Sequence, residues 1–152
     1  MANYCFFAMK IVGSKEKVEK AFSYFDNPKD SEYYVPGIYN LYTTKKIELN
    51  NKVVAYEFTG SCRWSIFSSM GKTIDKKSNP QGINLKSLSE MLNLNIEAYS
   101  KESGLGFQEH FLYKNGQEII AECIDWQEEY EDEDAGEYIP SKGGYEKWEF
   151  EI

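Results

Sequence analysis

Asn115-Gly116 lies between two runs rich in strand-forming residues, Phe107 to Tyr113 and Glu118 to Trp126. Both residues tolerate positive φ, which the two-residue turns that match strand twist require. Lys114-Asn115-Gly116-Gln117 is therefore the strongest short-range hairpin signal in the chain, and it commits this half to antiparallel sheet.

The preceding residues add helices to that sheet. Asn3 to Val12 alternates, with Cys5, Phe7, Met9 and Ile11 on one face of a strand. Ser14 is a good N-cap, and Val18, Ala21, Phe22 and Phe25 form the apolar stripe of a helix that Asn27-Pro28 stops. Residues 29–37 connect to a strand over Tyr39 to Leu49, with Leu41, Thr43, Ile47 and Leu49 in phase. Asn50-Asn51 predicts a tight turn with positive φ, and Lys52 to Phe58 returns as a strand. Gly60 and Cys62-Arg63-Trp64 leave three outcomes open: a longer strand, a bend, or a short helix. Lys72 to Gly82 is polar and turn-rich, so a loop is expected. Asn84 caps a second helix with Leu85, Leu88, Met91 and Leu92 inward. Asn95 to Ser100 is a strand, and Gly104-Leu105-Gly106 punctuates before the hairpin. Tyr145 to Ile152 alternates as a terminal strand, with Trp148, Phe150 and Ile152 on one face.

The first six elements read β-α-β-β-α-β. The expected fold class is α+β: a ferredoxin-like antiparallel sheet with two helices on one face and a C-terminal β extension. One domain over residues 1–152 is expected, with the ferredoxin-like portion at about 1–126, an acidic loop at 125–137 and the terminal strand at 145–152.

The chain resembles the YubB-type ferredoxin-like domains of plasmids, phages and other mobile elements. The resemblance rests on Met1-Ala-Asn-Tyr-Cys5 running into the first strand and helix, on Glu57-Phe-Thr-Gly-Ser-Cys-Arg-Trp64, and on Leu88-Ser-Glu-Met-Leu-Asn-Leu-Asn-Ile-Glu-Ala-Tyr99 continuing to Gly104-Leu-Gly-Phe107 and the strand with Gly116. It spans most of the chain through about Trp126. It implies a fold and a mobile-element setting, and it implies no reaction.

Charge is the feature that bears on function. Eight of the 25 acidic residues, and none of the 17 basic ones, fall between Asp125 and Glu137. Outside that segment acids and bases balance at 17 each, so the net charge of -8 is local. A concentrated surplus makes a directional field, whereas a dispersed one mainly aids solubility. The same field disfavours direct nucleic-acid binding and anionic membranes, because no Lys/Arg stripe is present for counterion release. No apolar run approaches the roughly 20 residues of a membrane span, and no signal peptide is visible, so a cytoplasmic location is expected.

Two readings of the acidic run stay open. One is a solvated loop that guards the neighbouring strand against edge pairing. The other is a docking surface for a basic protein, in its sharpest form a nucleic-acid mimic that blocks a defence enzyme such as a CRISPR effector. Glu128, Glu129, Glu131, Asp132, Glu133, Asp134 and Glu137 would face that partner, and Tyr33, Tyr34 and Tyr39 are candidate aromatic anchors. No cofactor or metal is expected, since neither EF-hand register through the run places Glu at position 12. Cys5, Cys62 and Cys123 are odd in number and widely spaced, which reads as small buried hydrophobes rather than a disulfide framework or zinc site. Two further functions remain. One is a small enzyme or ligand-binding domain using His110 with Cys62, or an aromatic pocket. The other is an oligomeric accessory protein paired through Trp148 and Phe150.

Overall fold

The computed structural model describes residues 4–71 and 76–152. Residues 1–3, of which Asn3 opens the expected first strand, and residues 72–75 of the expected loop lie outside the described residues.

Strand β1 (Cys5–Ser14) turns Cys5, Phe7, Met9 and Ile11 fully inward, while the residues between them are half-buried. Helix α1 (Lys15–Asp26) follows at once. Ser14 sits at its N-cap but makes no side-chain capping hydrogen bond. Val18, Ala21 and Phe25 are buried as the stripe requires, and Tyr24 is buried with them. Phe22 is half-buried, edge-on to Tyr56 and Phe58 at 5.4 and 5.2 Å.

Strand β2 (Tyr33–Tyr34) lies inside the expected connector. Strands β3 (Ile38–Glu48) and β4 (Val53–Cys62) form the next antiparallel pair. The turn between them differs from the Asn-Asn expectation: neither asparagine takes positive φ. The Asn50 side chain replaces that conformation, its Oδ1 accepting the N–H groups of Lys52 at 2.8 Å and Val53 at 2.9 Å. Leu49 leaves the strand and is exposed. Gly60 to Cys62 continue β4, the chain bends at Arg63-Trp64, and a π-type turn follows over Phe67–Gly71.

Strand β5 (Gln81–Gly82) pairs in parallel with β2. Helix α2 (Leu85–Leu92) starts at Asn84, whose Oδ1 accepts the Ser87 N–H at 2.8 Å. Leu85, Leu88 and Leu92 are buried, but Met91 is exposed. Ser89 holds the buried place instead, donating to the Leu94 carbonyl at 2.7 Å and accepting the Gly116 N–H at 3.0 Å.

Strands β6 (Asn95–Glu102), β7 (Phe107–Lys114) and β8 (Gln117–Gln127) complete a meander. Asn115 and Gly116 make the turn between β7 and β8 with φ of 47° and 80°. The chain closes with β9 (Tyr130–Asp132), β10 (Glu137–Ile139) and β11 (Lys142–Gly143). The main sheet is antiparallel in the order β11-β8-β7-β6-β1-β4-β3, and β9 with β10 forms a separate hairpin. The class is α+β, with the sheet predominantly antiparallel.

The inward residues of β1 form one core with Val18, Ala21 and Phe25 of α1, Leu85, Leu88 and Leu92 of α2, and Ile96, Ala98, Phe111 and Tyr113 of the sheet. Residues 145–152 occupy the opposite sheet face, and here the expectation of a terminal strand is corrected. They join no strand ladder; their backbone groups bond to side chains standing up from the sheet. Tyr145 N–H donates to Gln108 Oε1 at 2.7 Å, and the N–H groups of Glu151 and Ile152 donate to Glu97 Oε1 at 2.6 and 3.2 Å. The alternation is real, because a segment lying over a sheet also turns every second side chain down. Trp148 stacks over Phe6 at 6.1 Å and Tyr99 at 5.6 Å, and Phe150 lies 6.0 Å from Tyr99. Both stack within their own chain and are half-buried.

Candidate protein-docking surface

The acidic segment is a continuation of the sheet followed by a hairpin, not a loop. Asp125 belongs to β8, and the other seven carboxylates lie on and around β9 and β10. The turn is closed by Asp132, whose Oδ1 accepts the N–H groups of Asp134 at 3.1 Å and Ala135 at 3.3 Å. Gly136 follows with φ 66°. Pairing sets Asp132 directly opposite Glu137, and Glu131 opposite Tyr138. Like charges in a directly opposed pair repel. All the hairpin carboxylates are exposed except the half-buried Asp132. The Lys–carboxylate ion pairs among the described residues are Lys10–Glu57 and Lys147–Glu149, so neither neutralises the hairpin. Tyr138 donates its hydroxyl to Glu129, and that hydrogen bond pushes the Tyr138 phenol up.

The three candidate tyrosines do not gather beside these acids. Tyr33 packs on the core and meets Tyr24 edge-on at 5.8 Å, and Tyr34 is half-buried in β2. Tyr39 is exposed on β3, edge-on to Tyr4 at 4.9 Å, with the Arg63 guanidinium 4.7 Å above its ring. Since β3 and β8 lie at opposite sides of the sheet, Tyr39 and the hairpin do not form one continuous patch.

His110 and Cys62 are not brought together either. Cys62 pairs with Cys5 on the core face; His110 pairs with Tyr99, which pairs with Ala8 on the other face. The sheet separates imidazole from thiol, so this pair makes no nucleophile and base. Hydrogen bonding with Cys62, then burial, pushes the Cys5 thiol well above its usual range. His110 is buried, stacked on Tyr99 at 4.0 Å, with Nε2 2.7 Å from Glu97 Oε2. Among the described residues, no group of three or more His, Cys, Asp or Glu side chains is placed to hold a metal ion.

One feature escaped the sequence reading. A largely apolar cavity of about 500 Å³ opens beside β7 and β8, with Phe111 buried at its base and Ala121, Cys123, Trp64, Phe67 and Leu105 along its exposed sides; Cys123 is thus not the buried hydrophobe expected of it. Its origin is geometric. Helices about 10–12 Å wide span roughly four strands spaced about 4.8 Å apart, and this sheet is wider. Glu109 fixes one wall. Its carboxylate accepts Ile66 N–H at 2.7 Å, Phe67 N–H at 3.1 Å and Ser100 Oγ–H at 2.6 Å, tying the Phe67–Gly71 turn to β6 and β7. The available signal was β8 itself: Ile119, Ile120, Ala121, Cys123 and Ile124 are apolar on both faces, yet no third helix pattern follows to cover them.

No family model, curated protein or solved structure matches the chain. Among the described residues, no helix is long and apolar enough to cross a membrane.

Proposed function

We propose that this protein binds a basic protein partner through the β9–β10 hairpin, without catalysing a reaction, and that it acts as an anti-defence inhibitor occupying a cleft meant for nucleic acid. The observation that carries this reading is the Asp132–Glu137 pair. Two carboxylates face each other with no cation among the described residues beside them, so the hairpin bears repulsion that a Lys/Arg-lined partner would relieve. A ferredoxin-like assignment of residues 5–102 agrees with the spatial order β6-β1-β4-β3, and the likeness to YubB-type domains supplies the mobile-element setting.

The test is charge reversal. A variant carrying Glu128→Lys, Glu131→Lys, Glu133→Lys and Glu137→Lys should keep its circular dichroism spectrum. It should lose binding to purified nucleic-acid-binding defence enzymes, and added DNA should displace the wild-type protein. Affinity that survives both reversal and high salt would overturn the reading.

A further inference from the structure

The two outer strands of a sheet carry unpaired backbone groups, and β8 is one of them over most of its length. Strand β11 covers it only at Trp126 and Gln127. Among the described residues no strand pairs with the outer side of Glu118 to Ile124. The Asp125 carbonyl points outward, since it accepts the Gly144 N–H at 3.0 Å. Strand period two then turns the N–H and C=O of Cys123 and Ala121 outward as well. Ala121 and Cys123 also line the apolar cavity. Free backbone hydrogen bonds and an apolar recess thus share one edge, the arrangement that receives an added strand.

We infer that the edge of β8 at Ala121 to Cys123 accepts an extended, cationic segment of the protein partner as a further strand, with alternate apolar side chains seated in the cavity. This rests on the proposed basic partner and names how that partner is gripped. Charge selects the occupant. Glu118, Glu122 and Asp125 lie on this strand and the hairpin carboxylates follow it, while no Lys or Arg occurs from Gln117 to Ser141. A second copy would bring β8 carboxylates against β8 carboxylates, which disfavours self-pairing. Glu122 pairs with His110 on the face opposite the cavity, so a segment alternating Lys and Val sets lysines toward Glu122 and valines toward the cavity, where Glu118 and Asp125 flank it.

The probe is a blocked peptide of four Lys-Val repeats, compared with a Glu-Val peptide and with a Lys-Val peptide N-methylated at alternate residues. Calorimetry gives affinity, and amide hydrogen exchange reads Ala121 and Cys123. The Lys-Val peptide should bind and protect both amides. Ala121→Pro removes an outward N–H and leaves the ladder to β7 intact, so it should weaken binding about tenfold, and peptide N-methylation should do the same. If Ala121→Pro fails to fold, the N-methylated peptide decides. Unchanged affinity for both, alongside loss of binding in the hairpin reversal variant, overturns strand addition and leaves the acidic docking reading standing. Loss with Ala121→Pro but not with hairpin reversal does the opposite. A dimer whose Ala121 and Cys123 amides are protected without peptide overturns the inference, because a second copy then holds the edge.

Discussion

Glu97 joins His110 to the end of the chain: its Oε2 lies 2.7 Å from His110 Nε2, while its Oε1 accepts the backbone N–H groups of Glu151 and Ile152. The carboxylate is fully buried on the face opposite the helices. A buried carboxylate persists only where donors satisfy it, and here one side chain and two backbone groups do so.

Glu97→Ala should therefore free residues 145–152. Leaving these donors unpaired is expected to lower stability by about 3 kcal/mol in urea unfolding. Native-state hydrogen exchange at Glu151 and Ile152 should rise while β1 stays protected. Unchanged exchange at the terminus would show that aromatic stacking alone holds it.

Glu109 plays the corresponding part on the core face, where it accepts from Ile66, Phe67 and Ser100. Glu109→Ala should also destabilise by about 3 kcal/mol, and it should loosen the Phe67–Gly71 turn. Peptide binding at the β8 edge should weaken with it, because Trp64 and Phe67 form the cavity rim. A loss below about 1 kcal/mol would mean water replaces the carboxylate.

Alkaline pH should detach the terminal segment. Tyr99 donates to the Glu149 carbonyl at 3.0 Å, and burial, then Glu97, push its phenol up to about 12. Burial and then Glu122 raise Tyr145 too. The folded protein holds the Tyr99 proton more tightly than the unfolded chain, whose tyrosine ionises near about 10. Its contribution is thus complete below pH about 10 and is lost as pH rises to about 12. Phenolate absorbance should show delayed titration, and Tyr99→Phe should shrink it by one tyrosine while Tyr113 and Tyr145 still titrate late. A single transition near about pH 10 for every tyrosine would contradict it.

Thiol labelling should separate the cysteines. Cys5 and Cys62 are buried, whereas Cys123 is exposed on β8. One thiol should react in the native protein and three after unfolding. Burial, then Glu109 and Asp125, raise the Cys123 thiol, so its alkylation near neutral pH should be slower than that of a free cysteine. Rapid native labelling of Cys5 or Cys62 would show the core to be open.

Much of the local structure was legible in the chain. Asn115-Gly116 announced its turn because both residues accept positive φ. The α1 and α2 stripes were readable because a helix repeats its buried face every three or four residues. The Asn50 turn and Met91 escaped, since a side-chain hydrogen bond can replace a backbone conformation and Ser89 found two partners that only the fold supplies. The acidic run was plain as charge, but its hairpin pairing was not, because Asp132 and Glu137 oppose each other only once the turn has closed.

By itself, the sequence determined the α+β class, the order of the main elements and the local concentration of negative charge. These follow from residue type and short-range periodicity. Tertiary structure alone decided that residues 145–152 lie over the sheet, that the sheet separates His110 from Cys62, and that β8 keeps an open edge beside a cavity. Period-two alternation looks the same in a strand within a ladder and in a segment laid across a face. Which of the two forms depends on partners far away in the chain.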